Sequence, residues 1–293
     1  MSQQSPLRPA GHAGAAAATL LALGLSLFAA GAGGAEVFIR RDTTELLDPA
    51  FVTSTGSGFN AEVDLQNGTV KALVSAAVPA GFPVIGHSLT AGINDVYLVN
   101  AGASPIVASS GFLTLALDGA FSFVTADSGG REANVYVNAL LEAALVPALG
   151  GSTQWYSAGI GATHGWNDWQ GFHSGFTEIA EDGGTVTVMQ NDVSGLRADL
   201  AMPAITLNPN DTLRISLSLF TGINASNGLA ATNDFFNTAR LSLALPPDAV
   251  VTSNATVPLD WVSAEVPAPP AAWLLATGLT GVLAACRRRR ANK

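Results

Sequence analysis

Leu213-Arg214-Ile215-Ser216-Leu217-Ser218-Leu219 alternates apolar and polar residues without a break. In an extended chain successive side chains point to opposite faces, so this stretch puts four aliphatic residues on one side and Arg214, Ser216 and Ser218 on the other. The spacing predicts a strand with one buried face. Leu241-Ser242-Leu243-Ala244-Leu245 repeats the rhythm, and Ala61-Glu62-Val63-Asp64-Leu65 carries it near the other end of the chain. Thr69–Val78 follows Asn67-Gly68, a dipeptide that favours the tight turn of a hairpin. Further short apolar runs at Glu36–Arg40, Asp95–Val99, Phe112–Leu117, Phe121–Thr125 and Thr185–Met189 are bounded by Gly, Asn, Asp or Pro. Many short strands separated by turn residues point to an all-β fold, an antiparallel β-sandwich of jelly-roll-like form. One segment departs from the pattern: Leu140, Leu141, Ala144 and Leu145 approach helical spacing, and Ala133–Leu149 is predicted as one short helix.

The two ends of the chain have a different composition. Arg8 and His12 precede an uncharged apolar run, Ala15–Ala30, which leads into Ala30-Gly31-Ala32-Gly33-Gly34-Ala35. A basic start, an apolar run and small residues describe a secretory signal peptide over 1–35, cut after Ala32 or Ala35. At the other end Val266-Pro267-Ala268-Pro269 leads into an apolar run from Pro270 to Cys286, followed by Arg287-Arg288-Arg289-Arg290. Proline lacks an N–H and biases the preceding residue toward extended backbone, so 258–269 reads as a linker. The apolar run holds seventeen residues, at the short end of the ~17–25 that cross a bilayer, and the arginines favour the cytoplasmic side. Residues 270–293 are thus expected to form a transmembrane helix and basic tail. Cys286 is the only cysteine, so no disulfide forms within the chain.

The order of these parts resembles the PEP-CTERM sorting signal of Gram-negative bacteria. The residues that carry the resemblance are Val266, Pro267, Pro269, the stretch Ala271-Ala272-Trp273-Leu274-Leu275, Gly278, Leu279 and Gly281 within the span, and Arg287, Arg288, Arg289 and Arg290. Ala268 stands where the family carries Glu. The resemblance covers the tail alone. It implies recognition by an exosortase, a membrane protease, and release to the cell surface or the exopolysaccharide matrix.

What remains, 36–257 with the adjoining linker, is acidic. Residues 36–265 hold all 22 acidic residues against seven basic ones, a formal charge of −15. That surface repels nucleic acid and anionic lipid and suits divalent cations. A domain of this size without disulfides relies on its own core, and it is long enough to build one.

One stretch combines the residues of a binding site. Between 155 and 176 lie Trp155, Tyr156, His164, Trp166, Asp168, Trp169, Phe172, His173 and Phe176, interleaved with five glycines. Aromatic rings on a Gly-rich loop can stack on sugar rings while Asp and Asn bind hydroxyls, which makes Trp155, Trp166, Asp168 and Trp169 the glycan-binding candidates. If the stretch binds sugars, Trp166 and Trp169 cannot both lie in a core and at least one ring is expected at the surface; the other reading is that these rings plug one end of the sandwich, with the histidines exposed beside them. His164, Asp168 and His173 are possible metal ligands by type, without a metalloprotease spacing. Glu178, Glu181, Asp182 and Asp192 surround a Gly-Gly turn, and oxygen-rich turns can hold calcium, although no calcium-loop motif is present. No metal or cofactor is expected beyond that. Ser110 and Ser157 lack the Gly-x-Ser-x-Gly setting of a hydrolase nucleophile, and a carboxylate pair for glycoside hydrolysis cannot be chosen among 22 without geometry. The sequence therefore points to a non-enzymatic surface or matrix protein, with a carbohydrate-binding module and a secreted hydrolase as the other two readings.

Overall fold

The computed structural model describes residues 34–82, 84–124, 132–167 and 171–264. The signal segment before Gly34, the sorting motif, the apolar span and the arginines lie outside the described residues, as do Asp168 and Trp169. Among the described residues eighteen strands follow one another. They are β1 (Glu36–Arg41), β2 (Thr44–Asp48), β3 (Phe51–Gly56), β4 (Phe59–Asp64), β5 (Thr69–Ala77), β6 (Ile85–Asn100), β7 (Ile106–Ala108), β8 (Leu113–Val124) and β9 (Glu132–Val146). The remainder are β10 (Gln154–Asn167), β11 (Gly171–Glu181), β12 (Thr185–Asp192), β13 (Gly195–Ala201), β14 (Ile205–Leu207), β15 (Thr212–Ala225), β16 (Ala230–Leu245), β17 (Val251–Ser253) and β18 (Val262–Ala264).

Two large sheets hold most of them. The first has the order β11-β10-β9-β15-β6-β1-β2 with β17 attached to β6, and the second has β12-β13-β8-β16-β5-β4-β3 with β18 attached to β16. The two orders correspond position by position. Strands at equal positions are neighbours in sequence or flank a hairpin: 11 with 12, 9 with 8, 15 with 16, 6 with 5, 2 with 3. Cross-sheet contacts run between these same strands. A two-layer ribbon folded on itself gives this correspondence, and the pairing is antiparallel except where β18 runs parallel to β16.

The alternation that decided the fold is present in β15. Leu213, Ile215, Leu217 and Leu219 are all buried and join a single core cluster with residues of both sheets, among them Val63, Leu115, Leu141, Ile160, Phe235 and Leu243. Arg214, Ser216 and Ser218 take the opposite face. A register shift against β6 falls between Ile215 and Leu217. The Asn67-Gly68 turn joins β4 to β5: Asp64 Oδ1 accepts the Asn67 N–H at 3.1 Å, and Gly68 adopts φ +62°.

Two expectations are corrected. Ala133–Leu149 is no helix; residues 132–146 are β9, paired with β10 on one side and β15 on the other. Its inward residues Ala133, Val135, Val137, Ala139, Leu141 and Ala143 are apolar at period two, and the helical look came from Leu140 and Ala144 on the other face. Placement between two partner strands overrides the weak preference of an Ala/Leu-rich segment. Nor do the described residues of the Gly-rich stretch form a loop: 154–167 and 171–181 are the paired strands β10 and β11.

The β domain also continues past Val257. Trp261 is buried, its Nε1–H donates to the Leu65 carbonyl at 2.9 Å, and β18 pairs with β16. At the front, Ala35 is buried in the core.

Candidate functional site

The register of β10 sorts the candidates. Ala158, Ile160, Ala162 and His164 point inward, and Trp166 packs half-buried on the same core. Trp155, Ser157, Gly159, Gly161, Thr163 and Gly165 belong to the outer face. Trp155 is 46% exposed. Trp155 and Trp166 therefore serve opposite faces of one sheet and cannot grip one ligand.

The histidines separate in the same way. His164 is fully buried; its Nε2 lies 2.7 Å from Asn191 Oδ1 of β12, and its ring lies 4.8 Å from that of Phe121. His173 pairs with Gly165 on the outer face, with Nε2 3.0 Å from Asn134 Oδ1. The sheet lies between the two imidazoles, and no group of three metal-ligating side chains occurs among the described residues. The acidic turn is also divided. Glu178 and Glu181 stand three residues apart on β11, hence on opposite faces. The Asp192 carboxylate accepts from Ser194 N at 2.8 Å and Ser194 Oγ at 2.6 Å, which holds its pKa down to about 2.

On the outer face of the first sheet, side chains cover several glycines. Leu140 lies over Gly159, Asn138 over Gly161, Asn134 and His173 over Gly165, Phe220 over Gly222 and Phe38 over Gly92. A Cβ on Gly161 or Gly165 would come within 2.6 Å of the covering side chain. A side chain added there would have to displace the Asn138 amide, or the Asn134 amide and the His173 ring.

Glu142 stands at the centre of this face. Its cross-strand partners are Ser157 on β10 and Ser216 on β15. Two residues on, Ala144 is flanked by Trp155 and Arg214, and over this small residue the Arg214 guanidinium carbon comes 5.9 Å from the indole centroid. Arg214 is itself held by Asp95, with Nε 2.6 Å from Oδ1. Glu181 lies on the far side of Ser157. The Glu142 carboxyl has only short serine side chains beside it. Burial raises its pKa to about 7, against the pull of Arg214 and with a further push from Glu181. Among the described carboxylates, Glu142 thus combines a pKa raised by burial with a position near an exposed indole.

A second polar group lies inside. His164 Nδ1, Thr221 Oγ1 and Asn233 Oδ1 are buried without a hydrogen-bond partner among the described residues, while Asn233 Nδ2 crosses from β16 to the Tyr136 carbonyl at 2.7 Å. Burial lowers the His164 pKa, with Asn191 opposing. The unfolded chain then takes up a proton near pH 6.5 that the folded domain refuses until lower pH, so the stability His164 contributes is complete above 6.5 and declines as pH falls. Glu142 has the opposite sign. Its pKa rises from 4.5 to about 7 on folding, so its contribution is fullest below 4.5 and declines as pH rises toward 7. Glu142→Gln removes the second slope. In urea denaturation it should exceed wild type at pH 8 by about 1 kcal/mol, the linkage value reduced for solvent contact, and match it near pH 4.5. An equal difference at both pH values would contradict the burial of a charge at Glu142.

Sequence reasoning found Trp155 but missed Glu142, Arg214 and Asp95 as its neighbours. They come from β9, β15 and β6, and only the register brings them together. The signal available was the run of glycines at odd positions 159, 161 and 165, a spacing of whole strand periods. Comparison of the chain with protein-family models, with curated proteins and with solved structures returned no match.

Proposed function

We propose that this chain is an exported surface or extracellular-matrix protein, a structural or adhesive component rather than an enzyme, sorted through its PEP-CTERM-like tail by an exosortase-type membrane protease and associated with exopolysaccharide. The observation that carries the reading is the order of parts at the C-terminal end. The last described strand ends at Ala264, and Val266-Pro267-Ala268-Pro269, the apolar span and the four arginines follow at once in the sequence. The C-terminal helix holds the chain in the inner membrane until it is processed. The signal peptide carries the domain across, and cleavage after Ala32 fits better than cleavage after Ala35, because Ala35 belongs to the core. The all-β domain suits such a place: it is acidic, it has no cysteine to oxidise, and its matched strand orders support a jelly-roll-like sandwich. Nucleic acid is not a partner for a domain of this charge.

Replacing Arg287–Arg290 with serine removes the positive stop. Protease protection in spheroplasts, together with the size of the chain, should then show altered membrane retention and loss of tail processing. Unchanged topology and processing would count against the tail's role.

A further inference from the structure

We propose that the outer face of the β11-β10-β9-β15-β6 sheet is a platform for a neutral polysaccharide chain, with sugar rings resting on the Trp155 indole and hydroxyls meeting Glu142, Ser157 and Asn138. The proposal rests on the matrix reading above and gives it a site and a ligand class.

Three observations lead to it. Side chains of β9 cover the glycines of β10 along the face. From Trp155 to Gly165 it runs about 33 Å along one strand, room for several sugar units. It carries one partly exposed indole, set against the Arg214 guanidinium. An aromatic face of that kind matches the apolar face of a sugar ring.

The charge pattern selects the partner. The domain has a formal charge of −15, yet the cations of this face are matched by carboxylates: Arg214 by Asp95 and Arg40 by Glu45. Glu142 and Glu181 leave no net positive charge for an anionic polymer, and a second copy of the same face would set those carboxyls against themselves. Among the described residues the half-buried Glu142 carboxyl has no hydrogen-bond partner. A ligand rich in hydroxyls can both donate to that carboxyl and accept from it. The remaining polar groups along the face are amides and hydroxyls, the chemistry that recognises neutral sugars.

The charged groups around Glu142 are Arg214 from β15, Glu181 from β11 and Asp95 from β6 behind Arg214. Protonated Glu142 donates a hydrogen bond; ionised, it faces Glu181 across Ser157. Binding is therefore expected to weaken as the pH rises through neutrality.

The test uses the full chain in detergent and measures retardation in affinity gels. The probes are four neutral polymers (hydroxyethyl cellulose, a soluble β-1,3-glucan, dextran and galactomannan) and anionic alginate. At least one neutral polymer should retard the chain at pH 6 and alginate should not. Trp155→Ala should weaken the interaction about tenfold while Trp155→Phe keeps most of it, and both should retain the wild-type strand signal in circular dichroism. Raising the pH from 6 to 8 should weaken binding by wild type and leave Glu142→Gln unchanged. Retardation by none of the neutral polymers, retardation by alginate in their place, or full binding by Trp155→Ala would overturn the proposal. Protease shaving of intact cells separates its failure from that of the underlying reading. A chain found on the surface but bound by no neutral polymer loses only the platform. A chain that binds a neutral polymer but is never found outside loses the matrix assignment instead.

Discussion

Trp261→Ala is expected to destabilise the β domain by about 3–5 kcal/mol. The residue lies in a stretch whose sequence reads as linker, yet its ring is only 4% exposed. It packs against Gly68 so closely that a Cβ there would sit 2.6 Å from the indole. Its Nε1–H donates to the Leu65 carbonyl at 2.9 Å, and its own carbonyl accepts from Leu243 N at 2.8 Å. Truncation loses the burial of a large ring, opens a cavity beneath the β4–β5 turn and leaves the Leu65 carbonyl short of a partner. Gly68→Ala attacks the same contact from the other side and adds backbone strain at φ +62°. Urea denaturation monitored by circular dichroism measures both. A loss below about 1 kcal/mol for Trp261→Ala would mean that the domain ends before Pro258.

Leu217→Ala should cost about 2–5 kcal/mol. Leu217 is 1% exposed in the middle of β15, a central strand paired on both edges, with Leu141 of β9 and Ile93 of β6 as its cross-strand partners. A site enclosed by strands on either side and by the second sheet in front cannot collapse to fill the space. Ser218→Ala, one residue on and facing out, should change stability by no more than about 0.5 kcal/mol. Equal effects at the two positions would show that the faces of β15 are assigned wrongly.

The legibility of the sequence followed the physics of each strand. Where one face packs on the core and the other carries polar side chains, as at 213–219, apolar and polar residues alternate and the strand could be read directly. β9 failed that test because Leu140 and Ala144 are apolar on its outer face, so the period-two signal was diluted into something helical. β10 and β11 failed for a different reason. Their glycines are poor strand formers in isolation, and those of β10 lie beneath side chains of neighbouring strands, a tertiary fact with no local trace. Asn67-Gly68 marked its turn correctly because turn chemistry is local. The site was half legible. Trp155 could be picked out by type, but its pairing with Trp166 and Trp169 rested on nearness in sequence. Trp166 proves to belong to the opposite face, while Trp169 and Asp168 lie outside the described residues. Glu142 carried no mark in the sequence, since its raised pKa comes from a position between Ser157, Ser216 and the Trp155–Arg214 pair, on three different strands. The tail was the reverse case: its order of parts is wholly legible in sequence, and it lies outside the described residues.

The most direct test of the chain's assignment to the cell exterior is mass spectrometry of both termini of the protein recovered from the matrix of its own host. The expected chain begins at or just after Gly33, keeps Ala35 and Trp261, and ends near Pro267–Pro269 without Arg287–Arg290. A protein recovered only from the cytoplasm, with residues 1–35 and the arginines intact, would contradict it.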